Sequence, residues 1–189
     1  MSQPRKRNSA KNLGRNYLLD SELQAILRVA QQTETPIRDQ ALVMTSFRHG
    51  LRVSEAVALE WRQLDFNNYQ LHIQRLKNGK PSVHPVQGDE ARLLRKLNRQ
   101  TKNSPYLFPG RGKKHLSDRQ ARKIFKKLGE LAGLDFPVHF HQLRHSCGFH
   151  LANKGIDTRL IQDWLGHQNI QHTVLYTALS PERFKAIEF

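Results

Sequence analysis

The run His139-Phe140-His141-Gln142-Leu143-Arg144-His145-Ser146-Cys147-Gly148-Phe149-His150-Leu151 carries two patterns at once. Leu143, Cys147 and Leu151 recur at i, i+4 and i+8, the apolar stripe of an α-helix that faces a core. His141, His145, Gly148 and Ala152 share another side, and His141 and Arg144 project together off the stripe, where both can donate to a phosphate. Gly148 removes a side chain from the polar side, so another group can approach the helix backbone closely. The run predicts a helix over about 141–154 that anchors a core and presents an anion-binding pair.

Downstream, Leu160, Ile161, Trp164 and Leu165 predict a short helix over about 157–165, ended by Gly166 in a left-handed conformation, with His167 just beyond it. A further helix over about 170–178 is expected to bury Ile170, Val174 and Ala178, leaving Tyr176 off the buried stripe beside His172 and Thr173. Upstream, Asp20 or Ser21 can cap a helix that buries Leu23, Ile26, Leu27 and Ala30. A second begins after Pro36, carries Ala41, Leu42 and Met44 inward and ends at His49-Gly50, and a third is expected from Val53 to Trp61. Alternation through Gln70–Leu76, turn residues Lys77-Asn78-Gly79-Lys80 and a return over Val83–Val86 predict a β-hairpin. Helices over about 88–100 and 117–133 follow. The second buries Ala121, Ile124, Phe125, Leu128, Leu131 and Ala132 and turns Arg119, Arg122, Lys123, Lys126 and Lys127 to the other side, a face suited to phosphates. The expected fold is mainly α with a small antiparallel β-ribbon.

The 189 residues allow one good-sized core. Lys and Arg number 31 against 16 Asp and Glu, a formal charge of +15 that points to a polyanionic partner. Nucleic acid rewards such a surface through counterion release. No run approaches the ~20 apolar residues of a spanning helix, and no apolar segment near the start resembles a secretory signal, so a cytoplasmic protein without a membrane partner is expected. The single Cys147 cannot form an internal disulfide and reads as a packed core side chain. Residues 1–17 read as a basic flexible arm that contains Arg5, Lys6 and Arg7, residues 18–179 as the folded domain, and residues 180–189 as a tail helix capped by Ser180.

Taken in order, Gly50-Leu51-Arg52-Val53-Ser54-Glu55, Lys77 in a hairpin turn, His141-Gln142-Leu143-Arg144-His145, Leu165-Gly166-His167 and Tyr176 resemble the complete signature of the tyrosine recombinases, the phage integrase family. Each piece is weak alone, whereas the ordered set is highly specific. The wording around His141 and from Asp157 to His167 is most similar to the short bacterial invertases that switch fimbrial promoters. The resemblance implies the family's catalytic-domain fold and cleavage of DNA without metal, cofactor or ATP. In it Tyr176 is the nucleophile, Arg52 and Arg144 clamp the phosphate, Lys77 protonates the departing 5′ oxygen, and His141 and His167 assist proton movement or bind phosphate. Glu55, one turn after Arg52, is expected to orient it. The resemblance further implies double-stranded DNA with inverted-repeat sites as partner, a homotetramer on DNA joined by tails docking in trans, accessory DNA-bending proteins and a place in the nucleoid. Many relatives have a histidine two residues after the tyrosine, where this chain has Ala178.

Three other functions fit the sequence less well. A zinc site has His139, His141 and His145, but lacks the glutamate after His141 that a His-Glu-x-x-His motif requires. A DNA-binding regulator without catalysis leaves the ordered set unexplained. A type IB topoisomerase shares the chemistry but exchanges no partners, and the invertase-like wording favours exchange.

Overall fold

Helix α6 (His141–Asn153) packs against helices on both sides of it in the sequence. The computed structural model describes residues 15–75, 80–112 and 114–178. Before α6 come α1 (Asp20–Ala30), α2 (Pro36–Arg48), α3 (Val53–Val57), strands β1 (Leu64–Asp65), β2 (Gln70–Ile73) and β3 (Ser82–Pro85), α4 (Gly88–Gln100) and α5 (Asp118–Leu131). After it come α7 (Thr158–Leu165) and α8 (Gln171–Ala178). The chain is therefore mainly helical with one small antiparallel sheet, as expected.

Local sequence sets the boundaries. Pro36 opens α2, where its missing N–H costs nothing. Ser117 and Gln120 close a reciprocal cap on α5, with bonds of 3.2 and 2.9 Å between each side chain and the other's main-chain N–H. The Asp157 carboxylate accepts from the N–H groups of Arg159 and Leu160, and Gly166 ends α7 at φ 66°. At α1 the expected cap differs: Asp20 is already helical, and the Glu22 carboxylate reaches back to the Leu19 N–H at 2.7 Å.

The sheet has the order β1-β2-β3, with Leu71 opposite His84 and Ile73 opposite Ser82. Leu71 and Ile73 point into the core while Gln70 and His72 face out. Strand β1 is an addition to the expected hairpin, and α3 is shorter than the Val53–Trp61 helix expected. The chain after α3 is pulled out of helical geometry by main-chain bonds to the Tyr106 region, Leu107 N to Leu59 O at 2.9 Å and Trp61 N to Pro105 O at 2.8 Å.

The main core joins α1 to α5, the sheet and the start of α6, including Ile26, Leu42, Leu71, Leu94, Phe125 and Leu143. Leu131 of α5, expected inside, is exposed. Cys147, Phe149, Ala152, Ile161, Leu165 and Tyr176 form a second, smaller cluster between α6, α7 and α8. Because α6 packs against α2, α7 and α8, it buries Gln142, Arg144, Ser146 and Phe149 as well as Leu143 and Cys147, and the one-stripe expectation is too narrow. In α8 the expected inside is reversed: Thr173 and Tyr176 are buried and Val174 is exposed. No helix among the described residues is long and apolar enough to cross a membrane.

Candidate active site

Arg144 is the largest fully buried side chain among the described residues, 1% exposed, although its sequence position suggests an outward residue. Its two terminal nitrogens donate to Gly50 O at 2.6 Å and to Leu165 O at 2.7 Å. The guanidinium thus ties the loop after α2 to the C-terminal end of α7. Burial, with Arg52 and Arg75 nearby, lowers its pKa to about 10, so it stays charged at neutral pH.

Arg52 stands at the entry to α3, where Glu55 holds it twice: the carboxylate accepts from the Arg52 guanidinium at 2.8 Å and from its main-chain N–H at 3.0 Å. Glu55 Oε2, which takes the Arg52 main-chain N–H, also accepts from Arg75 at 3.0 Å. Arg75, two residues beyond β2, is 0% exposed at the side chain and also donates to His49 O at 3.1 Å and to Trp164 O. Burial alone would raise the Glu55 pKa, but the bonds from Arg52 and the charges of Arg75 and Arg144 outweigh it and hold the carboxyl below its ordinary value. Sequence reasoning missed Arg75. A lone arginine after a strand gives no signal that it turns inward.

Tyr176 reaches α6 from α8, and its seat depends on Gly148. A Cβ at position 148 would stand 2.6 Å from two Tyr176 ring carbons. The ring meets Phe149 edge-on, with centroids 5.1 Å apart, and lies nearly parallel to His167 at 6.3 Å. Its hydroxyl is 3.0 Å from His145 Nδ1. Burial pushes the tyrosine up to about 12, against the pull of Arg144. Burial pushes the histidines down, His145 to about 4 with His141 and Arg144 adding, and His167 to about 3 with Arg144 and Arg52 adding. His167 Nδ1 faces Thr173 Oγ1 at 2.8 Å. His141 opens onto solvent and stands edge-on to His145 with centroids 4.7 Å apart; partial desolvation, then Arg144 and Arg52, lower its pKa.

A cleft of about 720 Å³ opens beside Arg52 and His141 and runs to Asp118, Arg122 and Lys126 on α5. Arg119, Arg122, Lys123, Lys126 and Lys127 are all exposed. Arg122 bonds Asp118 at 3.3 Å, and Lys126 lies 3.9 Å from Glu130. A second cleft, about 550 Å³, is bordered by Lys80, Ser82, Asp163 and His167. Arg52, Arg144, His141, His167 and Tyr176, drawn from four separate parts of the chain, therefore share one neighbourhood with Glu55. Lys77, Arg5, Lys6, Arg7 and the 180–189 tail lie outside the described residues. Among the described residues no group of three His, Cys, Asp or Glu is placed to hold a metal ion. Cys147 is buried, and burial pushes its thiol up to about 12.

A mainly helical domain with a three-stranded sheet, and a tyrosine gathered with arginines and histidines around a basic cleft, defines a tyrosine recombinase catalytic domain. The chain belongs to the phage integrase family, whose pattern matches residues 16–183. It is 40% identical over 179 residues to the type 1 fimbriae regulatory protein FimE of Escherichia coli K12, covering 92% of this chain and 90% of that one. To FimB of the same strain it is 41% identical over 186 residues, covering 96% and 93%. Tyrosine recombinase XerA of Pyrococcus furiosus is 34% identical over 172 residues, covering 89% of this chain and 59% of that one. Among solved structures the fold matches a XerA recombinase with a TM-score of 0.77 at 24% identity, covering 87% of this chain and 61% of that one. It matches a XerH site-specific recombinase bound to palindromic difH substrate with a TM-score of 0.79 at 23% identity, covering 94% and 54%.

Proposed function

We propose that the chain is a site-specific DNA recombinase that inverts a promoter segment, cutting and rejoining each strand through a 3′-phosphotyrosyl link to Tyr176 without metal or ATP. The observation that carries this reading is the gathering of Tyr176 with Arg52, Arg144, His141 and His167, in which the tyrosine and both histidines lie within the electrostatic reach of Arg144 and Arg52. The likeness to FimE and FimB over nearly their whole length supports inversion as the outcome.

Breaking a phosphodiester needs a nucleophile, compensation for charge on the nonbridging oxygens and a proton for the leaving oxygen. Arg52, oriented by Glu55, and Arg144, held by two carbonyls, supply permanent positive charge for the phosphate. His141 and His167, at the edges of the two clefts, complete its surroundings, and Lys77 donates the proton to the 5′ oxygen. The Tyr176 ester keeps the bond energy, so a 5′ hydroxyl from another strand reverses the step. The basic face of α5, from Arg119 to Lys127, and the Arg5, Lys6, Arg7 arm grip the flanking duplex. The reading includes inverted-repeat sites, a homotetramer joined through residues 180–189, host DNA-bending proteins and a cytoplasmic place at the nucleoid.

The test is covalent trapping on a sheared library of the source genome. Tyr176→Phe is expected to bind DNA and form no adduct; an adduct with that variant overturns the reading. Lys77→Ala should regain cleavage on a substrate with sulfur at the 5′ bridging position, whose leaving group needs no proton, while Arg144→Ala should not.

A further inference from the structure

We propose that His145 is a further catalytic residue, the group that receives the hydroxyl proton of Tyr176 as the tyrosine attacks the phosphate. The inference rests on the reading of Tyr176 as nucleophile and adds to it the destination of the proton.

His141, His145 and His167 all lie near the tyrosine, and their geometry separates them. His167 Nδ1 is engaged by Thr173 Oγ1 at 2.8 Å, and its ring is nearly parallel to that of Tyr176 with centroids 6.3 Å apart. His141 is exposed on the cleft and meets His145 rather than the tyrosine. His145 Nδ1 stands 3.0 Å from the hydroxyl oxygen, within the reach required of a general base. Gly148, one turn further along α6, lets the Tyr176 ring lie against the helix so that its hydroxyl meets His145 on that helix.

The protonation states agree with this geometry. His145, held down to about 4, is neutral at physiological pH and carries a lone pair, and Tyr176, pushed up to about 12, keeps its proton to offer. That gap forbids a stable tyrosinate and imidazolium before attack. It permits transfer during attack, because the phenolic oxygen becomes far more acidic as it bonds to phosphorus and passes below the base on the way. The step balances: the Tyr176 O–H bond breaks and its proton moves to His145 Nδ1. The O–P bond forms, the P–O5′ bond breaks, and the departing 5′ oxygen takes a proton from the Lys77 ammonium. Religation runs the same transfers backwards, with His145 returning the proton.

The substrate for the test is a nicked duplex built from a site recovered by genomic trapping, and the readout is the rate of covalent adduct formation at saturating protein. Asn places its side-chain oxygen near the position of Nδ1, so His145→Asn keeps an acceptor for the hydroxyl but removes the base. Its adduct rate is expected to fall between about 10² and 10⁴-fold while DNA binding is retained. A fluorinated tyrosine at position 176 loses its proton more readily, and it should restore His145→Asn by at least tenfold more than it changes the parent. Adduct formation by His145→Asn within threefold of the parent overturns the proposal, as does an equal effect of the fluorinated tyrosine in both backgrounds. In the unsubstituted protein, ¹⁵N NMR should find His145 protonated at Nε2 and free at Nδ1. A proton on Nδ1 overturns the proposal without any variant. Failure of the nucleophile reading is separate, since it appears as an adduct formed by Tyr176→Phe.

Discussion

Gly148→Ala isolates the seat of Tyr176 from its chemistry. The new methyl would stand 2.6 Å from Cδ2 and Cε2 of the ring and 2.8 Å from Cζ, whereas ordinary contact begins at 3.4 Å. The neighbouring atoms belong to a rigid ring packed against Phe149 and His167, so the ring must withdraw by about 0.8 Å. Overpacking of this kind costs roughly 1–3 kcal/mol, while replacing a helical glycine by alanine returns about 1 kcal/mol. The expected net loss of stability is about 1 kcal/mol, read by urea unfolding. Catalysis should suffer more, because a displacement near 1 Å breaks the 3.0 Å hydrogen bond with His145 and costs on the order of 10²-fold. The assay is adduct formation on a nicked duplex at saturating protein, with DNA binding as control. In a Tyr176→Ala background the ring is gone, and the same Gly148→Ala change should become neutral or stabilising by up to about 1 kcal/mol. The reasoning is refuted if Gly148→Ala cleaves within threefold of the parent, or if it destabilises equally with and without the ring.

Glu55→Gln should lower stability by about 3–5 kcal/mol at neutral pH, because it strips a buried carboxylate from Arg52 and Arg75. The Glu55 carboxyl lies below its ordinary 4.5 in the fold, so its contribution is complete above that value and lost as pH falls through the folded value; the difference between parent and variant in urea midpoints should hold at neutral pH and shrink as pH falls below the ordinary carboxylate value. Arg52→Lys and Arg144→Lys should each cleave on the order of 10² to 10³-fold more slowly, since a point ammonium cannot reproduce a planar fork, and near-normal rates would refute the phosphate clamp. Lys123→Ala with Lys127→Ala should weaken DNA binding and flatten its log-log salt slope by about 0.9 for each phosphate no longer neutralised, as titration over a salt series would show.

The long amphipathic helices are legible in the sequence because periodicity and caps act over a few residues: Leu23, Ile26, Leu27 and Ala30 lie inside as their spacing requires. Strand β1 escapes such reading because two residues, Leu64 and Asp65, carry no alternation of their own and pair only because β2 lies beside them. Helix α3 reads too long because Leu59 and Trp61 keep a helical spacing, while their C=O and N–H groups are claimed by a segment more than forty residues on. Of the site, the ordered residues stand in plain sight, but their orientation does not. Arg144 and Tyr176 read as outward-facing because sequence patterns treat polar tips as solvated. Their burial follows from partners that local spacing does not reveal, the carbonyls of Gly50 and Leu165 for one and the bare backbone at Gly148 for the other. His145 reads as a residue of the polar side of α6, but its bond to the hydroxyl requires α8 to fold back on α6.

The two carbonyl bonds of Arg144 have a bearing on how such an enzyme can decay during evolution. A group that is proposed to grip substrate and also braces two loops cannot be discarded for its chemistry alone, since a replacement that cannot donate leaves Leu165 O without the Arg144 donor and Gly50 O with only the longer 3.5 Å bond from Arg75. Tyr176 imposes no such constraint, because losing one oxygen leaves its ring in place against Gly148 and Phe149. A lineage that abandons recombination but keeps the DNA-binding shell is therefore expected to carry phenylalanine in place of the tyrosine while retaining the buried arginine.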